Sequence, residues 1–488
     1  MRASWTSRAL TIAILGATLP LLTGATTATT AAEDVTKTDN VTAVARFPGI
    51  GGSEIDSDGR YLFAGQANLD DSLRRQAVAE GQHGGLRIID TKSMRVVGEL
   101  RCPGTDNYVR YLDPEVFGGE YVAVAFHGNL CTRDALEGDP DTRPGYGAFN
   151  GVMIVDVANK RAPKIVGVVG HDSAHTVMPH PTRPYLYVLP GGIANGTNVP
   201  NQSVSPTGII DVSDPTNPVR VAKFTHNAQG CHDLGFSHDG NYAYCAGLGE
   251  VQVWDVAGDR VESPLVVGSI VNPAIQFAHN AVVSPSGRYL AINDEAFGFH
   301  TCSDSAADLY GSLWIYDISI PNAPVLAGRI SPPGHPGDQG FGTLDDLGPV
   351  DGWADSWCAA HNYNWVPDND DVIVASWFGG GTTAHDISDL ANPELIAHYM
   401  PHDGVAWSGH YYAGWVVTND MVRGVEVLDV PEVRAADPTL NNRGRNHRWD
   451  RPREDRSAEL LPAVLPPRPA AFRDPLGGGP CVLPPRLS

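Results

Sequence analysis

Basic side chains are scarce in this chain: 34 Lys and Arg stand against 56 Asp and Glu, a formal net charge of −22 at pH 7. A body this acidic repels phosphate backbones, which excludes nucleic acid as a partner. Cysteine is sparse too. Seven in 488 residues are too few for a disulfide scaffold, and the odd number leaves at least one unpaired within the chain. Beyond the N-terminus no apolar run is long enough to cross a bilayer, so no membrane span is expected in the body. Familiar catalytic strings are missing as well. There is no G-x-S-x-G elbow, no P-loop, no H-E-x-x-H, and no G-x-G-x-x-G that follows a strand and opens a helix. What is plentiful is turn-forming residue, 53 Gly and 38 Pro in a chain that is 42% hydrophobic, which is a globular composition rich in turns.

The two ends differ from the body. Arg2 and Arg8 precede an apolar stretch from Ala9 to Leu22, and small residues follow to Ala32. Residues 1–32 read as a secretory signal peptide cleaved after Ala32, with Thr30 and Ala32 as the small pair. The alternative, a membrane anchor, is disfavoured by the short run and by Pro20. The mature protein is therefore expected to be secreted, where disulfides persist. Residues 431–488 carry ten basic and seven acidic side chains, Pro-Pro pairs and Gly477-Gly478-Gly479. This Pro/Arg-rich segment is expected to be a disordered or loosely docked tail.

Between the ends one pattern recurs seven times: a short apolar strand that closes on Asp. The strings are GLRIID at Asp90, GVMIVD at Asp156, TGIID at Asp211, EVQVWD at Asp255, SLWIYD at Asp317, GTTAHD at Asp386 and GVEVLD at Asp429. The spacings are 66, 55, 44, 62, 69 and 43 residues, a constant unit with loop insertions. The fifth unit shows the plan. HNAVVS (279–284), YLAIND (289–294), LWIYDI (313–318) and VLAGRI (325–330) are four short strands, the first two joined at Pro285-Ser286-Gly287. Four antiparallel strands per unit, repeated seven times, predict an all-β, seven-bladed β-propeller over 41–430. The seventh unit stops after its third strand, and 41–47 (VTAVARF) resembles the fourth strands elsewhere. An N-terminal closure strand is expected there, leaving no open edge between the terminal blades.

The strings DVSDPTNPV (211–219), DISIPNAPV (317–325) and DISDLANPE (386–394) resemble the signature of LVIVD-repeat proteins, a resemblance spanning about 41–430. In physical terms the Asp caps a turn and the Pro fixes the start of the outer strand.

The topology sends long insertions to one end of the blades: 66–84, 128–150, 190–207, 295–311 and 331–360. Four histidines mark the same end, just before the first strands of consecutive blades. They are His175 in SAHTV, His232 in GCHDL, His279 in FAHNA and His361 in AAHNY, each with a small residue before it and a polar one after it. The first three lie ten residues before Tyr185, Tyr242 and Tyr289. The innermost strand borders the central channel, so these imidazoles are expected to line its mouth. Converging imidazoles suit copper, iron or zinc. The competing explanation is a histidine copied with the blade, or one that only holds its own loop. In the other three blades the matching places read Gly51, Tyr111 and Trp407. Asp294 falls opposite His279, with Glu295 adjacent, and either is a candidate to orient its ring. His127, His402 and His410 are outer candidates; His171, His180 and His238 read as loop or turn residues.

HNYNWVPDNDDVIVASWFGG followed by DISDLANP, within 361–393, is similar to part of the selenium-binding protein and methanethiol oxidase family, as is IVDVANKRAPKIVGVV before His175. The resemblance implies a propeller with copper held by channel histidines. It carries over only to His175 and His361. The family's His-Thr-x-His-Cys motif is not reproduced, since Val177 and Met178 follow His175-Thr176.

Cys231 and Cys245 face each other across a hairpin, Cys102 and Cys131 lie in neighbouring loops, as do Cys302 and Cys358, and Cys481 is left over. Disulfides are the expected use; a thiolate ligand from Cys231 or Cys358 is the alternative. The 331–360 connection holds Trp353, Trp357 and several acids, and reads either as a lid over the channel mouth or as a plain surface loop. The functional expectation is a histidine-bound transition metal, copper or iron before zinc, in an oxidoreductase acting on a small molecule. The alternative is a non-catalytic propeller that binds an extracellular protein.

Overall fold

The computed structural model describes residues 35–48, 52–65, 85–102, 105–127, 131, 136, 150–171, 174–190, 206–225, 230–296, 309–333, 358–401 and 404–440, with backbone alone at 105–107 and 127. The expected signal peptide, most of each long insertion, His402, and the tail beyond 440 lie outside them.

Two strands, β1 (Val35–Lys37) and β2 (Thr42–Phe47), precede the array. Blade one runs from β3 (Ile55–Ser57) to β6 (Arg95–Arg101), and blade two from β7 (Thr105–Leu112) to β10 (Lys164–Gly170). Blade three runs from β11 (Thr176–Pro179) to β14 (Val219–Phe224), and blade four from β15 (Asp233–Phe236) to β18 (Leu265–Ile270). Blade five runs from β19 (Ala278–Val283) to β22 (Val325–Ile330), and blade six from β23 (Ala360–Trp365) to β26 (Glu394–Pro401). Blade seven takes β27 (Ala406–Tyr412), β28 (Trp415–Asp420) and β29 (Gly424–Asp429) from the end of the array, and its fourth strand is β2. The closure register pairs Thr42 with Asp429 and Phe47 with Val425. The expected all-β, seven-bladed propeller with an N-terminal closing strand is the fold observed. Strand β1 adds a fifth strand to blade six, pairing Val35 with Pro401, which the sequence pattern did not announce.

Every repeat Asp is the last residue of a third strand. In six blades its carboxylate accepts the backbone N–H two residues on, at Lys92, Ala158, Ser213, Ala257, Ser319 and Ser388. This turn is the physical content of the repeat. In the seventh, Asp429 pairs with Arg434 instead.

The core is divided by interface, one apolar cluster between each pair of adjacent blades. Ile88 with Val124 joins blades one and two, Ile154 with Val188 two and three, and Tyr187 with Cys245 three and four. Val253 with Ile292 joins four and five, Ile315 with Ala375 five and six, and Val374 with Tyr411 six and seven. Ile89 with Val427 closes seven onto one. Strands buried on both faces explain the near-continuous apolar runs. Close approach needs glycine in the outer strands: a Cβ on Gly98 would lie 1.7 Å from the Lys160 carbonyl oxygen of the next blade. Beyond the array, Pro431–Ala435 forms a helical turn that buries Val433, and Tyr411 donates to Asp437 at 2.9 Å. The first ten residues of the expected tail thus have a fixed place against the propeller. Among the described residues no helix is long and apolar enough to cross a membrane.

Candidate metal centre

Strand register defines the hub. In each blade one residue of the first strand pairs with the fourth residue of the second: Ile55 with Ala64, Val109 with Val124, Val177 with Val188, Leu234 with Cys245, Ala281 with Ile292, Tyr363 with Ala375 and Gly409 with Thr418. Two residues earlier stand Ser53, Asn107, His175, His232, His279, His361 and Trp407. The four histidines and Trp407 therefore share one level. For blades one and two the register corrects the expected Gly51 and Tyr111 to Ser53 and Asn107. Gly51 lies outside the described residues, and Tyr111 sits further along its strand, stacked on Phe63 at 5.3 Å.

The rings form a contiguous arc. Centroids are 4.5 Å apart for His175 and His232, 4.2 Å for His232 and His279, 4.2 Å for His279 and His361, and 4.3 Å for His361 and Trp407. His232, His279 and His361 are fully buried, and His175 is half-buried. Glu295 enters from the residue after β20, its N–H held by the Phe277 carbonyl at 3.0 Å. Its carboxylate lies 3.5 Å from Nε2 of His279 and 4.0 Å from Nε2 of His361. One ligand atom from each of His232, His279 and Glu295 falls within 4.8 Å of the others. Ligands about 2.1 Å from an ion lie at most ~4.2 Å apart, so small side-chain movements close the site.

Burial, reinforced by the neighbouring imidazoles, pushes His232 and His279 well below the ordinary imidazole range. Burial likewise lowers His361, to about 4, against the raising effects of its bond to the Trp407 carbonyl and of Glu54. The rings are neutral at pH 7, the state that binds metals. Two have their tautomer set. Nδ1–H of His232 donates to the His279 carbonyl at 3.1 Å, and Nδ1–H of His361 to the Trp407 carbonyl at 2.6 Å. Nε2 is then the lone-pair nitrogen in both.

Asp294 does not orient a ring. The strand bulges at His279, so Asn293 rather than Asp294 comes up beside it. The Asp294 carboxylate instead accepts from the backbone N–H groups of Gln276 at 3.0 Å, Phe277 at 2.8 Å and Gly311 at 3.1 Å. Burial raises it to about 7 despite these donors. Its work is to hold the loop that carries His279.

Beneath the arc lies a polar floor that the sequence reading missed. Tyr108 reaches across the hub, donating to Asp233 at 2.7 Å, and its hydroxyl lies 3.2 Å from Oδ1 of Asn362. Asn280 donates to Asp233 at 2.8 Å. Glu54 accepts from Asn362, from Ser408 at 3.1 Å and from His410, and Arg110 lies 3.5 Å from it. Burial pushes Glu54 up, but His410 and Arg110 outweigh it and hold the carboxyl at about 2. A signal did exist: Asp233, Asn280 and Asn362 are the polar residues directly after three of the histidines. Glu54, Tyr108 and Arg110 carried no repeat signal, because their blades lack the histidine.

The outer candidates disperse. His410 belongs to the floor, and the side chain of His127 lies outside the described residues. His180 bonds the Gly240 carbonyl at 3.0 Å and His238 the Ser284 carbonyl at 2.8 Å, both holding turns as expected. His171 is buried beside Gly208. Disulfides join Cys102 to Cys131 and Cys231 to Cys245, each with Cα atoms 5.5 Å apart. Cys358 is also disulfide-bonded; Cys302, the partner expected for it, lies outside the described residues. The thiolate-ligand alternative for Cys231 and Cys358 is thereby removed.

Residues 208–225 match the LVIVD repeat family model. That stretch is the third-to-fourth strand segment of blade three. No curated protein matches the chain in sequence. Among solved structures, the chain is similar to the β-propeller domain of Cps50 (Swd1) from Myceliophteria thermophila, with a TM-score of 0.50 at 11% identity over 80% of this chain and 98% of that one. At that identity the likeness speaks for the propeller fold alone. The comparisons do not show the resemblance to selenium-binding proteins.

Proposed function

We propose that this propeller holds a transition metal at the loop-rich mouth of its channel and acts as an oxidoreductase on a small molecule. The observation that carries the reading is the convergence of His232, His279 and Glu295 to within 4.8 Å in a buried setting. His361 is adjacent to Glu295, and His175 extends the arc. Mixed imidazole and carboxylate donors suit iron or copper; the Cys-rich, closed tetrahedron of structural zinc is a different arrangement. When bound, such a metal supplies Lewis acidity and one-electron chemistry.

The chain's own residues do the rest. His232 and His361 present lone pairs because their other nitrogens are committed to backbone carbonyls. Glu295 supplies the negative charge that a cation needs in a dry site. Phe277, 5.0 Å from His232, and Phe378, 4.6 Å from His361, keep water from the ring edges. The floor from Tyr108 to Glu54 closes the far side, so a substrate enters from the loop face. The disulfides support an extracellular setting.

Elemental analysis of tag-free protein tests the reading. Stoichiometric copper or iron, lost in His279→Ala, is expected. Substoichiometric metal that does not change in that variant would return the chain to a non-catalytic binding propeller.

A further inference from the structure

We infer that Asn293 is a positioning residue: it decides which nitrogen of His279 faces Glu295 and so sets His279 apart from His232 and His361. The consequence for metal binding rests on the site proposed above; the protonation pattern itself does not.

Asn293 is the fifth residue of β20. Its Oδ1 accepts the N–H of Asn280 at 2.8 Å, which fixes the orientation of the amide. Its Nδ2 then donates to the carbonyls of Ala360 at 2.7 Å and His361 at 3.0 Å, in the next blade. An amide nitrogen has two hydrogens and no available lone pair. Both hydrogens are directed at carbonyls, yet Nδ1 of His279 lies 3.3 Å from the same nitrogen. A hydrogen on Nδ1 would point at a donor. The His279 proton therefore sits on Nε2, the nitrogen 3.5 Å from Glu295.

Neighbouring blades show what Asn293 replaces. In blade four the fifth residue of the second strand is Ala246, which has no donor, and His232 itself donates to the ring-level carbonyl of the next blade. In blade six that residue is Ser376. Its hydroxyl shares the Trp407 carbonyl with His361, at 2.9 and 2.6 Å. In blade seven Asn419 donates to the Ser53 carbonyl. Blade five alone pairs a ring-level histidine with an asparagine, and the asparagine takes the carbonyl. His232 and His361 are ready ligands, whereas His279 is held in the opposite tautomer, with its proton toward Glu295. A metal reaching His279 through Nε2 has to displace that proton and move the ring off Asn293.

Nitrogen NMR of the imidazoles in metal-free protein tests this. Wild type is expected to show Nδ1–H for His232 and His361 and Nε2–H for His279. Asn293→Ser, which copies blade six, is expected to convert His279 to Nδ1–H with the other two unchanged, and to tighten binding of added Cu(II) by about tenfold. Nδ1–H on His279 in the wild type, or Nε2–H retained in a folded Asn293→Ser, would overturn the inference. The wild-type spectrum decides even if the variant fails to fold. Absence of Cu(II) binding in both proteins, with the tautomers as expected, would count against the metal reading and leave the role of Asn293 standing.

Discussion

His361 donates through Nδ1 to the backbone carbonyl of Trp407, 2.6 Å away and in the next blade. The tautomer of a candidate ligand is thus set by main chain rather than by side chain. Trp407→Phe should therefore leave metal affinity unchanged while lowering stability, because the bond survives and only packing against Phe378 and His361 is lost. Parallel metal titration and thermal melts check this. A large loss of affinity would show that the indole, not the carbonyl, holds the ring.

Glu295→Gln keeps the shape and removes the charge. If the carboxylate is a ligand, metal affinity should fall by more than about a hundredfold, beyond the effect of losing an outer partner. Competition against a chelator of known strength measures it. Unchanged affinity would restrict the site to imidazoles.

Glu54→Gln leaves Arg110 without its buried counter-charge and should cost about 3 kcal/mol in denaturant unfolding. The sign with pH follows from a carboxyl held at about 2. Its stabilisation is complete above the unfolded value of about 4.3 and is lost as pH falls from there toward 2. The variant should show a flatter stability profile across that interval than wild type.

Three histidines away from the metal site are also lowered by burial: His385 to about 3, and His180 and His398 to about 4. Unfolding frees each to take a proton at its ordinary value of about 6.5. Stability from their burial is full above that value and drops as pH falls through it toward 4, by up to about 1.4 kcal/mol per pH unit for each group. Stability measured between pH 7 and 4 should decline, less steeply than the histidines alone would give, because the raised carboxyl of Asp294 takes up its proton in the folded state over the same interval. His398→Gln should soften the slope.

Reduction of the Cys231–Cys245 bridge opens a loop 14 residues long in sequence separation, worth about 3 kcal/mol. Cys231 directly precedes His232, so reduction should also weaken metal binding. Melting and metal retention with and without reductant separate the two effects. Retained metal at lowered stability would show that the bridge is only a brace.

Much of this molecule was legible along the chain. The seven Asp-terminated strands, the closing strand and the histidine in the same place of four consecutive units are periodic, and periodicity survives in one dimension. It placed His175, His232, His279 and His361 on one level, and it marked Glu295 beside them. It failed where a bulge intervened: counting across a regular hairpin sets Asp294 opposite His279, whereas the extra residue in β19 brings up Asn293 instead.

The rest depends on contacts across the hub. Glu54, Tyr108, Arg110, Asn362 and His410 come from blades one, two, six and seven, separated by up to 356 residues, and no repeat relates them. A strand's identity comes from its own alternation of side chains, so sequence alone settles that blades form and where they close. Which imidazole nitrogen carries a proton, and which carboxylate meets which ring, is set by carbonyls and side chains of neighbouring blades. Those groups become neighbours only once the ring has closed.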